Sequence, residues 1–549
     1  LARKQFMLSD VRPPVVVSTV EAVDTVPEEY AGAILSLDDA TVRAAVDGAA
    51  GATHARLRPP HPDDPMYLVF TSGSTGKPKG AVGTQRAMAA RLDWQLRNYP
   101  PRTDDDIRLS QASMTFLEGG MELLAGLAAG ATMILADDAE HRDAEALAAL
   151  MKRESVAQIT AVPSLVSALV DSAPDAVRSL ARLVCGGEPV SSSLLQRLSA
   201  ACADGDGPQL LNNIGSTETS GAVSRGRLSP PKALVGSPVP GASAYLLDDG
   251  LRPVPVGVVG ELYYAGDQLA RGYWKRPALT SSRFIANPFG AEPGSRLYRS
   301  GDLARWTEDG ELEFTGRADH QVQVRGFRVE LAEVEAALAA ADGVAAAAAR
   351  TWEVHDGASL AGYVVPQRPV VDEAQTAAFA ASVRAAVTTA LPGYMVPSSL
   401  TVLDALPKTE SGKLNRPGLP RPAVSTGGLT EPARTDTERA LATVFAELLS
   451  TSDVGRFDDF FALGGDSILS VQLASRARAV GLPVSPRMVF ENPTVEQLAA
   501  AAAEVRASGD DVEGPPHETR FEPMSTSGLS SADLAAVTRL WSKSRDGTP

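Results

Sequence analysis

Cysteine is scarce: Cys185 and Cys202 are the two in 549 residues, too few for a disulfide framework. No secretory pattern opens the chain and no apolar run is long enough to span a bilayer, so a cytoplasmic protein without a membrane partner is expected. Net positive charge is lacking as well. A formal balance of −16 opposes the cationic footprint that nucleic acid or anionic lipid requires. Nucleic acid is therefore not an expected partner, and any phosphate must be held by local donors. What the chain does have is length and apolar content. Hydrophobic residues at 44% supply ordinary cores, and the length allows several units of roughly 100–200 residues each.

One stretch concentrates phosphate chemistry. Thr71, Ser72, Gly73, Ser74, Thr75, Gly76, Lys77, Pro78, Lys79 and Gly80 follow the apolar run 66–70. A strand running into glycines, hydroxyls and two lysines can wrap phosphate oxygens with backbone N–H groups, hydroxyl donors and ammonium charges. It is not a Walker loop, because only Ser74 and Thr75 separate Gly73 from Gly76 and Pro78 follows Lys77. Helical spacing of Met88, Leu92 and Leu96 predicts a helix over 85–97, giving the strand, loop, helix order of nucleotide sites with the helix N-terminus near the loop.

The rest reads as an α/β chain. Strands at 15–17 and 33–37 alternate with helices. Residues 116–127 read as a buried helix start whose Gly119 and Gly120 leave space for a pocket wall. A strand at 183–185 ends in Gly186, Gly187 and Glu188. Another ends in Asn213, Ile214, Gly215, Ser216 and Thr217 ahead of Glu218, which suits a loop at the carboxyl edge of a sheet that binds a nucleotide and its magnesium. Residues 257–274 read as a β-rich layer. Asp302, after the turn at Gly301, can accept hydrogen bonds from ribose hydroxyls. A helix over 331–341 stops at Gly343 before a strand near 344–349, and a smaller α+β unit closes on Lys413.

In order, the chain carries TSGSTGKPKG at 71–80, NNIGSTE at 212–218, YRSGDL at 298–303, GRADHQVQVRGFRVE at 316–330, LPGYMVP at 391–397 and LPKTESGKLNR at 406–416. In these motifs it resembles the adenylation domains of nonribosomal peptide synthetases, within the adenylate-forming superfamily of acyl-CoA synthetases and luciferases. The resemblance implies a large core over 1–317 and a small α+β C-terminal subdomain over 318–416, with ATP and Mg2+ as cofactors. Thr71 through Lys79 would hold the β- and γ-phosphates as pyrophosphate leaves, with Gly187, Glu188 and 213–217 beside the nucleotide. Glu218 would bind magnesium, and Asp302, assisted by Arg317, would hold the ribose. Lys413 would bridge the substrate carboxylate and the α-phosphate in the attack that makes acyl-AMP. Asp319 matches the hinge about which the small subdomain turns after adenylation. Gln323 stands where the family usually has lysine.

Residues 417–432 are rich in proline, glycine and small polar residues and read as a linker. Amphipathic helices at 435–449 and 468–480, and a short one after Thr494, flank LGGDSI at 463–468. This resembles a peptidyl carrier protein, a four-helix bundle over 433–506 whose Ser467 receives 4'-phosphopantetheine from a phosphopantetheinyl transferase. In the tail, 507–549, Leu534, Val537, Leu540 and Trp541 share one face of a helix that would dock a partner synthetase. The family's opening segment would precede Leu1, so a fragment of a larger synthetase is expected, neighboured by condensation or thioesterase domains. The implied function is an ATP-dependent acid–thiol ligase that activates an amino or related carboxylic acid and loads its own carrier. Alternatives are a carrier-fused ligase for a non-amino acid and a decayed scaffold whose carrier is loaded in trans. A free-standing acyl-CoA ligase would share the clamp, Asp302 and Lys413 but would lack LGGDSI.

The family's substrate pocket opens with Phe-Asp, and that aspartate pairs with the α-ammonium of an amino acid. Here Phe116 is followed by Leu117, and an ammonium stripped of its counter-ion costs roughly several kcal/mol. Similarity to the family places Glu118, Met121, Thr160, Val184, Gly186, Asn213, Gly221 and Ala222 along the pocket. Gly186, Gly221 and Ala222 are expected to leave room, and Glu118 and Asn213 to meet a displaced amine or another polar group. The expected substrate is an acid whose amine is moved, as in a β-amino acid or a basic side chain, or absent, as in a hydroxy or aryl acid. The alternative is a rearranged pocket in which Glu118 replaces the lost aspartate.

Overall fold

The computed structural model describes residues 2–49, 59–73, 77–101, 106–137, 140–202, 207–230, 232–290, 292–319, 321–324, 326–354, 357–370, 372–409, 413–422, 431–449, 451, 454–460, 463, 465, 467–485, 488, 489 and 492–508. Short apolar segments enclosed on both faces make parallel strands that need helices over them. Strands Thr132–Leu135, Ile107–Ser110, Gln158–Ala161, Arg182–Gly186 and Gln209–Ser216 lie side by side in that order, all parallel. Helices Ala144–Arg153, Pro163–Ser172 and Ser192–Ala201 pack on them around Leu147, Ile159, Leu169, Leu183 and Leu194. Each helix starts on a local signal: Asp143 caps the first, Pro163 opens the second and Ser191 caps the third. At its edge the sheet reverses, strand Gly221–Ser229 returning antiparallel onto Gln209–Ser216.

Two antiparallel layers flank this sheet. One comprises Ala242–Leu247, Gly260–Gly266, Arg296–Trp306, Phe284–Ala286 and Leu312–Arg317. The other is Pro65–Thr71 paired with Lys79–Thr84, to which Gly272–Tyr273 adds. The second layer corrects the strand, loop, helix reading, because the loop joins two strands of a hairpin. Residues 79–84 are buried along their whole length, so they satisfy their backbone groups as a central strand rather than as a helix. Helix Gln85–Asn98 begins only after it, with Thr84 accepting from the Ala87 N–H. The six-residue strand carries that helix N-terminus about 20 Å along the chain from the loop.

Near the N-terminus, helix Ala2–Val11, the parallel pair Val15–Ser18 and Ala33–Ser36, and helix Ala40–Ala49 follow the expected alternation. Further on, strands Val344–Val354, Gly357–Pro366 and Ser399–Val402 form a sheet under helices Leu331–Ala339 and Glu373–Ala390. A hairpin, Gln321–Val324 with Phe327–Glu330, leads into the first of these helices. Helices Asp436–Leu449, Ser467–Ala479 and Val495–Ser508 enclose Phe445, Phe460, Leu473 and Leu498. The last is 14 residues long rather than short, because Val495, Leu498, Ala499 and Ala502 extend its buried stripe. The tail helix expected at 530–543 lies outside the described residues. Among the described residues, no helix is long and apolar enough to cross a membrane.

Candidate active site

The clamp meets the hairpin. Ser74, Thr75 and Gly76 lie outside the described residues. Of the rest, the Ser72 hydroxyl donates to the Arg328 carbonyl at 2.7 Å and the Gly73 N–H to Glu333 Oε2 at 3.2 Å. Lys77 is exposed. Lys79 is buried, 3.3 Å from Glu330 Oε1 and facing the Tyr273 ring, and burial pulls its ammonium below the ordinary lysine range. Lys79 was expected to hold phosphate; here a carboxylate from the hairpin takes that charge. Thr71 Oγ1 is buried with no hydrogen-bond partner, an orphan that a phosphate oxygen would satisfy.

Glu218 lies in the 3-10 turn Thr217–Thr219 and is wholly enclosed. Arg328 Nη1 donates to its Oε2 at 3.0 Å and the Tyr273 hydroxyl to its Oε1 at 2.7 Å. Burial pushes the carboxyl up, but Arg328, Lys79 and Tyr273 outweigh it and hold the pKa at about 2. In this arrangement the Arg328 guanidinium lies where a cation held by Glu218 Oε2 would lie. An ionised carboxylate fits Mg2+. Among the described residues no cluster of three or more metal-ligating side chains surrounds it.

Asp302 and Arg317 face one another across paired strands. Arg317 Nη1 donates to Asp302, its Nη2 to the Ser300 carbonyl at 3.1 Å, and its Nε and Nη2 to Asp319 at 2.8 and 3.0 Å. Asp319 also accepts from Arg283 at 3.3 Å. Burial raises the Asp319 carboxyl, but Arg317 more than compensates and holds it at about 2. The proposed ribose ligand and the proposed hinge thus share one guanidinium. Lys413 is not brought to this cluster. It is exposed, and the hydrogen bonds it shows are with Thr409 across its own turn. Ser467 is the first residue of its helix.

The pocket residues divide. Leu117 and Met121 lie on helix Leu117–Ala129 and pack with Met88. Val184 and Ala222 pack with Trp94 and Tyr99. Thr160, on strand Gln158–Ala161, accepts from Gln111 through its carbonyl. Two expectations need correction. A Cβ on Gly186 would lie 2.9 Å from the Asn213 carbonyl, so this glycine permits a close strand approach rather than making room. A Cβ on Gly119 would lie 2.4 Å from the Ser113 carbonyl, so it too serves packing. Asn213 Oδ1 accepts from the Tyr99 hydroxyl at 3.0 Å and keeps a second lone pair for another donor. Glu188, expected beside the nucleotide, is committed to the N–H and hydroxyl of Ser164 at 3.0 and 3.2 Å. Phe327, at the hairpin tip, packs edge-on against Phe116 at 5.1 Å. Arg328, Glu330, Glu333 and Tyr273 were not singled out from sequence. The signal was present in 327–330, where Arg328 and Glu330 alternate with apolar residues and so share one strand face.

Comparison with known proteins places this geometry. The family of AMP-binding enzymes matches residues 1–274, the AMP-binding enzyme C-terminal domain 333–413 and the phosphopantetheine attachment site 439–502. Novobiocin biosynthesis protein H of Streptomyces niveus is 36% identical over 507 residues, covering 91% of this chain and 81% of that protein. The chain belongs to the adenylation–carrier family of nonribosomal peptide synthetases. A dimodular nonribosomal peptide synthase of Bacillus subtilis is 38% identical over 91% of this chain, which spans 20% of that protein's length. The fold also matches a holo protein with adenylation and PCP domains bound to a vinylsulfonamide inhibitor, at a TM-score of 0.71, 23% identity, and 91% and 81% coverage of the two chains. The architecture is therefore an adenylate-forming α/β core, a C-terminal subdomain and a carrier domain, and the family's ATP and phosphopantetheine chemistry comes with it.

Proposed function

We propose that this chain is an acid–thiol ligase that activates a carboxylic acid as acyl-AMP and loads it on its own carrier, as part of an antibiotic-type assembly line. In the first step a carboxylate oxygen attacks the α-phosphorus of ATP, forming a P–O bond as pyrophosphate leaves. In the second a thiolate attacks the acyl carbonyl and AMP leaves. When attached, the phosphopantetheine arm supplies that thiol. Thr71, Ser72, Gly73 and Lys77 would donate to phosphate, Glu218 would hold magnesium, Asp302 the ribose, and Lys413 the charge developing at the α-phosphate. The carrier would receive its arm from a phosphopantetheinyl transferase at Ser467.

The observation that supports this reading is the double use of the clamp. Ser72, Gly73, Lys79 and Glu218 are engaged by Arg328, Glu330 and Glu333 while Lys413 stands on its exposed turn. Glu330 and Glu333 put negative charge where phosphates would lie, so this arrangement suits a step after pyrophosphate has gone, and adenylation needs the subdomain turned about Asp319. Pyrophosphate exchange with a panel of acids, followed by carrier acylation on the holo protein, tests both steps. Exchange and loading with the same acid are expected, and loading from a trans-acting ligase alone would overturn the reading.

A further inference from the structure

Helix Gln85–Asn98 encloses Arg91 completely, at 0% exposure. Its guanidinium lies 4.6 Å from the Trp94 ring, and Nη1 donates to Gln95 Oε1 at 2.6 Å. Nε and Nη2 have no hydrogen-bond partner among the described residues. A guanidinium does not deprotonate in proteins, so these are two buried, charged donors left open, a costly arrangement unless a ligand meets them.

The open donors border the acid pocket. A Cβ placed on Gly221 would lie 3.4 Å from Arg91 Nε, 3.7 Å from Glu118 Oε2 and 4.0 Å from Leu117 Cδ2. Gly221 holds φ at 90°, a conformation that disfavours any side chain, so this point stays clear. Arg91 and Glu118 form no ion pair, yet each is within 4 Å of that one point, a separation that a single polar substituent can fill. Glu118 attracts Arg91 electrostatically without hydrogen-bonding its open donors, and the other neighbouring polar groups are engaged elsewhere. The Tyr99 hydroxyl gives its proton to Asn213, Glu122 Oε2 accepts from the Gln111 and Ala112 N–H groups, and Arg225 is another cation, 6.0 Å from Trp94.

We propose that Arg91 is a specificity-determining residue, and that the activated acid carries a hydrogen-bond-accepting oxygen (carboxylate, keto or hydroxyl) which the Nε–H and Nη2–H of Arg91 hold beside Leu117 and Gly221. This rests on the reading of the site as an acid-activating pocket. An ammonium at this point meets Glu118 Oε2 at 3.7 Å but also the fixed guanidinium, and leaves both open donors unmet, whereas an oxygen acceptor completes both donors and a hydroxyl can in addition donate to Glu118. Of the acids that Leu117 leaves open, the structure therefore favours those in which oxygen replaces the amine over those with a basic group at this end.

Pyrophosphate exchange on the holo chain tests this with matched acids: the keto, hydroxy, amino and unsubstituted forms of the alanine, leucine and phenylalanine skeletons, and glutarate against pentanoate. The best acceptor-bearing acid is expected to exceed its unsubstituted match by about 100-fold in kcat/KM, because a site built to bond a substrate oxygen rejects the analogue lacking it. Arg91→Met should abolish that preference, so that the acceptor-bearing acid and its unsubstituted match are activated at similar kcat/KM. Arg91→Lys, which keeps the charge and the long stem, should retain part of it. Thermal melts report whether each variant folds, and the lysine variant keeps the test open if the methionine variant does not. A preferred acid bearing an ammonium at this position, or a preference unchanged in either folded variant, overturns the inference alone. Absence of exchange with every acid overturns the proposed function and this inference with it.

Discussion

Arg328 of the C-terminal subdomain donates to Glu218 of the core at 3.0 Å, and Glu218 is fully enclosed. On the proposed mechanism this guanidinium competes with a nucleotide-borne cation for Glu218, and the two occupants would mark two orientations of the subdomain. Arg328→Ala should weaken the orientation seen here. The expected outcome is a KM for ATP lowered about three- to tenfold in pyrophosphate exchange, with carrier loading slowed by at least about tenfold, a shift of roughly 1 kcal/mol or more between the states. Exchange and loading kinetics on the same preparation check it. If neither changes, the pair is merely structural.

On the proposed mechanism, variants of Lys413 and Ser467 separate the two half-reactions. Lys413→Ala should reduce pyrophosphate exchange by about 100-fold or more, the scale of removing one charge-stabilising donor, while acylation of the holo carrier by a supplied acyl-adenylate falls far less. Ser467→Ala should do the converse, leaving exchange intact and abolishing covalent loading as read by mass spectrometry. Equal losses in both half-reactions for Lys413→Ala would make it a structural residue.

Legibility from sequence followed the range of the interactions. The parallel strands, the helices at 85–98 and 331–339 and the carrier helices were readable because apolar period and caps are local signals. The hairpin at the clamp was misread because glycines at 80 and 83 mask a strand whose pairing partners, 65–71 and 272–273, are supplied partly from far along the chain. Which partners the motif residues meet is set by contacts from far along the chain. Nothing in 71–80 announces that Glu330 will meet Lys79 or that Glu333 will meet Gly73. Arg91 was passed over because an arginine in an amphipathic helix ordinarily faces water.

Gly301 tests the junction of ribose site and hinge. Its φ is 81°, and a Cβ there would lie 2.7 Å from Asp319 Oδ2 and 2.8 Å from Arg317 Nη2. Gly301→Ala should cost roughly 1–3 kcal/mol of strain and displace the guanidinium that joins Asp302 to Asp319. A rise of about tenfold in the KM for ATP is expected. Gly310→Ala, with a similar φ of 76° but open space around the Cβ, is the control and should leave kinetics unchanged. Matching effects in both variants would assign the loss to backbone strain alone.

Glu122 gives the pH dependence. Its Oε2 accepts from the N–H groups of Gln111 and Ala112, both at 3.0 Å, while Oε1 has no partner. Burial dominates and lifts its pKa from 4.5 to about 8. The native state therefore keeps a proton that the unfolded chain has already released. The stabilising effect of that bound proton is complete below about pH 4.5 and is lost as the pH rises through about 8. Glu122→Gln cannot ionise, and its amide oxygen can still accept from both N–H groups. Urea unfolding of the core at several values across this window should show the wild type losing stability with rising pH while the variant stays flat, the difference reaching a few kcal/mol, roughly, at the alkaline end. Parallel slopes for the two proteins would mean that Glu122 is ionised throughout and that solvent reaches its open oxygen.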